Sequence, residues 1–461
     1  MTPRSSGGRA WLRLTLAVSV ATAAMAQSPS SPSPTADERI DQLSHEVQDL
    51  KALVHQLQDQ LAKVTGAAAA PAPAATPPAS TPAAVPDFWH GVTFNALLDG
   101  YYEYNTNAPL GRVNLLRAYD VSSNSFSLNQ ADVVIERVPD LAHDQRIGMR
   151  LDLQYGQATS TTQGNPVNEP RPDIYRNVFQ AYGTYVFPVA AGLTVDFGKW
   201  SSSLGLEGNY TKDQLNYSRS FWFDYLPFYH MGVRSKLALN DQWAVNAWIT
   251  NGTNQTEAYN SYKDQLLGLV YTPSQAFNWT FNVYQGQDHP DVIYVQNPTP
   301  LQQATLPEVQ GTYLQPITDP GNGRVHIVDS YVTWLPTAAL TLAIEGDYVQ
   351  QRLYQYSRPQ RVDGGALYAG YQVTPQFSVA ARAEYLEDAG GLYTGLTQYL
   401  TEQTLTVDYR PADGLLVRGE FRRDHSNQPY FLTHSLGSLE TSQPTIGFGL
   451  VWWFGQKQGA W

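Results

Sequence analysis

Apolar residues change their spacing along the chain, and each change marks a different element. From Ile40 they fall at Ile40, Leu43, Val47, Leu50, Val54, Leu57, Leu61 and Val64. The intervals alternate three and four, which puts all eight on one helix seam and predicts a coiled coil over 37–65. Val or Ile at three of the four first positions, with Leu at three of the four second positions, favours two parallel helices. Residues 66–87 follow, of which Ala67 to Pro86 are almost wholly Ala, Pro, Thr and Ser. That composition cannot bury a core and predicts a semi-rigid spacer, at ~3.1 Å per residue about 60 Å long.

From Phe88 the period becomes two. Ile147, Met149, Leu151, Leu153 and Tyr155 share one face, against Arg146, Gly148, Arg150, Asp152 and Gln154 on the other. Leu340, Leu342, Ile344 and Tyr348 oppose Thr341, Glu345 and Asp347, and Leu405, Val407 and Tyr409 oppose Thr404, Thr406 and Asp408. Sixteen such segments can be read, near 92–105, 124–137, 146–156, 177–187, 192–200, 229–239, 242–251, 263–272, 277–286, 324–335, 339–350, 363–373, 377–387, 401–410, 414–424 and 444–454. Connections after odd segments are long and polar, as in Ser201 to Phe228. Those after even segments are tight, as in Asn240-Asp241-Gln242.

An even strand number with long loops at one end and short turns at the other predicts an all-β fold, a 16-stranded antiparallel transmembrane β-barrel over 88–455. Even segments close on an aromatic followed by proline, as in Phe187-Pro188 and Tyr409 with Pro411. Proline ends a strand by withholding an N–H, and the ring suits head-group depth. The last segment puts Ile446, Phe448, Leu450, Trp452 and Phe454 on the greasy face, and residues 455–461 follow it. It resembles the terminal strand that outer-membrane assembly machinery recognises, although such strands normally end the chain on their aromatic.

Composition narrows the picture. Arg4, Arg9 and Arg13, an apolar run from Leu14 to Met25 and Ala24-Met25-Ala26 predict a secretory signal over 1–26. No later stretch approaches the ~18 apolar residues of a spanning helix. The chain has no cysteine, so an exported protein of this length holds together without disulfides. With 29 Tyr, 11 Trp, 16 Phe and only 15% charged residues, it suits a surface that is apolar at one end and wet at the other. A net charge of -12 argues against a nucleic-acid partner and permits a cation-favouring interior.

Four stretches carry more than periodicity: Asn216 to Ser220, Pro227 to Arg234, Ala381 to Asp388 and Val417 to Ser426. In this order, with Thr404 to Tyr409 between the last two, the chain resembles the OmpL-like β-barrel porin family of Gram-negative outer membranes, over most of Phe88 to Phe454. The resemblance implies a porin and supplies no substrate. General porins are usually trimers, so the coiled coil leaves the homo-oligomer open between two and three copies.

Parity points Arg382, Glu384, Asp408, Arg418, Glu420 and Arg422 into the lumen from three adjacent strands, alongside Arg146, Arg150 and Asp152 from an earlier one. They are candidates for a charged constriction or for a salt-bridge ladder in the wall. The Ser201 to Phe228 loop carries Glu207, Lys212, Asp213, Arg219 and Asp224. Folded inward, it would narrow the pore with Arg219 and Asp224 as its foremost charges; left outside, it would be a solvated loop.

Catalytic chemistry finds no support in the residues. His425-Ser426 and His434-Ser435 are adjacent pairs, and strand neighbours face opposite sides. The nine His residues lack zinc-site spacing, and no glycine-rich nucleotide loop precedes a helix, so neither metal nor cofactor is expected. The leading expectation is an outer-membrane channel for passive diffusion of small polar or charged solutes, with lipid around it and both ends of the chain in the periplasm. The alternative is an anchor or adhesin whose coiled coil contacts the cell wall. A soluble sugar-binding sandwich is a third reading, one that would extract without detergent.

Overall fold

A computed structural model describes residues 91–163, 169, 171–288, 292–295, 297–309, 312–316, 324–352, 358–457 and 459–461. The expected signal, coiled coil and spacer lie outside the described residues.

Sixteen antiparallel strands close into one barrel. They are β1 Val92–Asn105, β2 Ser125–Arg137, β3 Ile147–Tyr155, β4 Val178–Phe187, β5 Leu193–Ser201, β6 Tyr229–Ala238, β7 Trp243–Thr250 and β8 Asp264–Ser274, then β9 Phe277–Gln287, β10 Arg324–Trp334, β11 Leu340–Gln351, β12 Gln360–Gln372, β13 Phe377–Ala389, β14 Gln398–Ala412, β15 Leu415–Ser426 and β16 Ser442–Gly455. The strand number expected from periodicity is the one observed. Closure comes from β16 pairing with β1, from Asn95 opposite Gly455 to Asn105 opposite Thr445. Every backbone group of a closed sheet finds a partner, which is the condition for a sheet to cross hydrocarbon.

Side chains alternate as the period of two requires. Outward positions such as Phe94, Leu128, Met149, Phe197, Ile249, Leu267, Ile344, Leu367, Leu405, Phe421 and Phe448 are exposed and greasy all round the barrel. In water that belt would be an aggregation surface; in a bilayer it is the matching solvent. At the end bearing the short turns, Trp243 stacks on Tyr271 at 4.2 Å and Phe377 on Tyr409 at 4.6 Å. At the loop end, Tyr102 meets Phe126 at 4.8 Å and Tyr385 lies over Tyr399. The aromatic girdle is thus two-sided, whereas the aromatic-proline pattern had pointed to the turn end alone.

The lumen departs from a plain polar bore. Near the loop end, inward positions are apolar: Trp200, Trp248, Leu266, Tyr284, Ile327, Val349, Val362, Leu386 and Leu400 are buried in one cluster with Phe221, Trp222 and Leu226 of the β5–β6 loop. These strand ends are greasy on both faces, so alternation alone does not reveal that a core fills this part of the barrel.

Candidate functional site

The β5–β6 loop, 202–228, folds into the lumen. An inward loop brings its own peptide groups away from bulk water, and each must find a partner. The barrel wall supplies them. Glu420 on β15 accepts from the N–H groups of Tyr217 (2.6 Å) and Ser218 (2.9 Å). Glu384 on β13 accepts from Phe221 N–H at 3.0 Å. Arg418 donates to the carbonyls of Asn216 (2.9 Å) and Gln214 (2.7 Å), and Arg382 to that of Ser218 at 2.8 Å. A short helix, Phe221–Tyr225, is started by Ser220, whose hydroxyl accepts from Phe223 N–H at 3.0 Å.

The wall charges pair as they bind the loop. Asp408 and Arg418 stand directly opposite on β14 and β15 and meet at 2.6 and 2.7 Å. Arg382 contacts Glu207 of the loop at 2.8 Å and Glu402 at 3.2 Å, with Glu384 at 3.9 Å. Arg422 pairs with Asp424 at 2.8 Å and donates to the carbonyl of Arg219. On β3, Arg150 holds Asp152 at 2.9 Å and Glu136 at 3.1 Å, and both Arg150 and Asp152 bond the Tyr210 hydroxyl of the loop. The arginines at 382, 418 and 422 are buried together with their partners.

The remaining expected residues fall in different places. Asp213 of the loop pairs with Lys212 at 2.7 Å. Arg219 is fully buried and turned into the loop itself, donating to the carbonyls of Tyr217 (2.8 Å), Asn209 (3.0 Å) and Gly208 (3.1 Å) beneath the Tyr119 ring at 4.2 Å. Its guanidinium organises the loop and does not face the open lumen. Asp224 sits in the short helix, where burial pushes its carboxyl up to about 8 against the opposing pull of Arg422. Arg146 lies before β3 in the turn, paired with the exposed Asp144 at 2.9 Å, apart from the lumen cluster.

Open space survives on the far side of the loop. A cavity of about 560 Å³ is lined by Arg150, Gln180, Glu207, Tyr210, Asp213 and Tyr368, among others. A second, of about 360 Å³, is lined by Asp196, Arg234, Lys236, Asn246, Asn278 and Tyr331 on β5–β10. Arg234 and Asp196 pair there at 2.6 Å.

Several residues of the site were missed from sequence. Glu402 shares the inward parity of Thr404, Thr406 and Asp408, so the same signal could have found it. Arg117, which bonds Asp120 (3.0 Å) and Asp424 (2.8 Å), lies in the irregular β1–β2 loop, where no period exists. Asp329, Glu345 and Asp347 bring carboxylate oxygens within 4.8 Å of one another, the group among the described residues that could take a divalent cation. Two of them already serve the loop, since Asp329 accepts from Gly205 N–H at 3.2 Å and Glu345 from Leu206 N–H at 2.8 Å. Ser202 meets His230 at 3.1 Å, a serine–histidine contact that abuts the buried Trp200 and Trp248 rings.

A closed sixteen-stranded barrel with a greasy belt and an inward loop braced by wall charges defines the porin class of outer-membrane proteins. The chain belongs to the family described as putative beta-barrel porin-2, OmpL-like, whose model matches residues 91–454. Among solved structures it is similar to the outer membrane channel DcaP of Acinetobacter baumannii (9% identity, TM-score 0.48, covering 79% of this chain and 97% of that one). It is also similar to the anion-selective porin from Comamonas acidovorans (8%, 0.48, 79% and 99%) and to outer-membrane expressed OmpT of Vibrio cholerae (12%, 0.46, 79% and 97%). No curated protein matches the chain.

Proposed function

We propose that this porin is a passive channel for small polar or charged solutes, that it performs no chemistry on them, and that they pass between the inward loop and the wall formed by β4–β12. The observation that carries the reading is the loop itself. Its stretch 216–221 is bonded to Glu384, Arg418 and Glu420 on one wall and residues 205–206 to Asp329 and Glu345 on the other, while charge-lined space remains beside it. Fixed charges of both signs beside a narrow aqueous space act on ions as a selectivity device. The long loops face outward and the short turns face the periplasm, as the length asymmetry of the connections suggests. The heptads at 40–64 then stand on the periplasmic side and join two or three copies.

Planar-bilayer recording of the purified chain tests this: stepwise ion currents are expected, and a folded barrel that stays silent would contradict it. The apolar core near the loop end favours a second reading, in which the barrel is an anchor and the coiled coil contacts the cell wall. Deleting 40–64 separates the two, since an anchor would lose cell-wall association while a channel keeps its conductance.

A further inference from the structure

We infer that residues 456–457 and 459–461, which follow the last strand, are resident in the lumen and set its bore at the turn end, with Trp461 and Lys212 forming the constriction. The inference rests on the channel reading above and concerns a segment that reading does not use.

The chain turns inward at Gly455. Its φ is 149°, and a Cβ there would stand 2.3 Å from Asn95 Oδ1, so glycine is what lets the backbone leave β16 along β1. Three contacts then bind the segment to the wall. Phe94 N–H donates to Gln456 Oε1 at 3.0 Å, Lys457 N–H donates to Asn95 Oδ1 at 2.8 Å, and Lys457 Nζ meets Glu136 at 2.6 Å.

At its far end the segment meets the inward loop. Trp461 N–H donates to Asp213 Oδ2 at 3.0 Å, and its indole packs edge-on to Tyr210 at 5.7 Å. Lys212 Nζ lies over the indole at 4.5 Å and donates to the Gly459 carbonyl at 3.0 Å. Trp461 also packs on the cluster of Leu97, Val134, Leu416 and Val451, inward-facing apolar residues that an open aqueous bore would leave wet. Ala460 and Trp461 form part of the lining of the 560 Å³ cavity, beside Glu207 and Asp213. A solute moving between that cavity and the turn end therefore meets the Trp461 indole beside the paired Lys212 and Asp213, which disfavours bulky solutes.

The test is single-channel recording of the full chain against a chain lacking 456–461 and against Trp461→Ala, with heat-modifiable gel mobility reporting that each is folded. Conductance should rise by about twofold or more without the segment, and by less in Trp461→Ala. A full chain that is silent while the shortened one conducts also supports the inference, as complete occlusion. Equal conductance of the two would overturn it and leave the channel reading intact. Silence of both would overturn both.

Because the protein has no cysteine, Ala460→Cys supplies a lone thiol and a second arm that does not depend on the shortened chain folding. A bulky cationic thiol reagent should lower the current through Ala460→Cys and leave Ser438→Cys, on the exposed β15–β16 loop, unchanged. No change at Ala460→Cys would overturn the inference.

Discussion

Two walls of one lumen carry charge in opposite ways. On β13–β15 and β2–β3, arginines and carboxylates are buried in pairs; those of β13–β15 also bond the backbone of the inward loop, and Arg150 with Asp152 of β3 bonds its Tyr210 hydroxyl. On β5 and β6, Asp196, Arg234 and Lys236 line open space, and Arg234 is partly exposed where it pairs with Asp196. A buried pair is neutral as a unit, and removing one member leaves an unpaired charge that costs far more than the pair contributes. A charge at the edge of water remains available to a passing ion. The first group thus holds the loop, and on the proposed channel reading the second is the one left to act on solutes, although sequence parity gives the same signal for both.

The contrast ranks the expected effects of mutation. Arg382→Ala should be the most damaging, because it strips Glu207, Glu402 and Glu384 of their shared guanidinium. A loss of about 3–5 kcal/mol is expected in urea titration of the folded barrel. Gly449→Leu comes next. A Cβ there would lie 2.6 Å from Tyr217 ring carbons, so the loop must lift away, at about 1–3 kcal/mol and with a rise in conductance.

Asp224 gives a smaller, pH-dependent effect. Its carboxyl is raised to about 8 in the folded chain, so the folded state binds the proton more tightly than the unfolded one. The stability this gives is fully present at acid pH, declines as pH rises above the unfolded value, and is lost on passing about 8. Stability measured from pH 5 to 9 should fall less steeply in Asp224→Asn. Smallest is Arg146→Gln, which lies in a turn outside the cluster and should leave reversal potential and conductance unchanged.

Much of the barrel was legible in the sequence because a bilayer imposes one period on every strand. Ile147 to Tyr155 can be read as a strand with its faces assigned. Strand ends blur where the pattern leaves the apolar band: β14 extends from 401–410 to Gln398–Ala412, since residues beyond the hydrocarbon need not alternate. The same limit hides the apolar core at the loop end. Within the site, Arg382, Glu384, Asp408, Arg418, Glu420 and Arg422 follow from parity, as does the buried Arg150–Asp152 pair. What each one binds does not, because the partners are backbone groups of a loop without a period. Arg219 illustrates the point: its charge reads as a constriction residue, yet carbonyls at 2.8 to 3.1 Å take it up. Gly449 falls between the greasy positions of the last strand, but only the Tyr217 ring against it explains why it is glycine.

The most direct test is the reversal potential across a salt gradient for the intact chain and for a variant carrying Arg234→Gln and Lys236→Gln. Both positions line the open cavity on β5–β10. A stepwise current whose reversal potential moves toward cations in the variant is the predicted result, by about a factor of two in permeability ratio. An unchanged reversal potential, or no current from the folded intact barrel, would contradict the account.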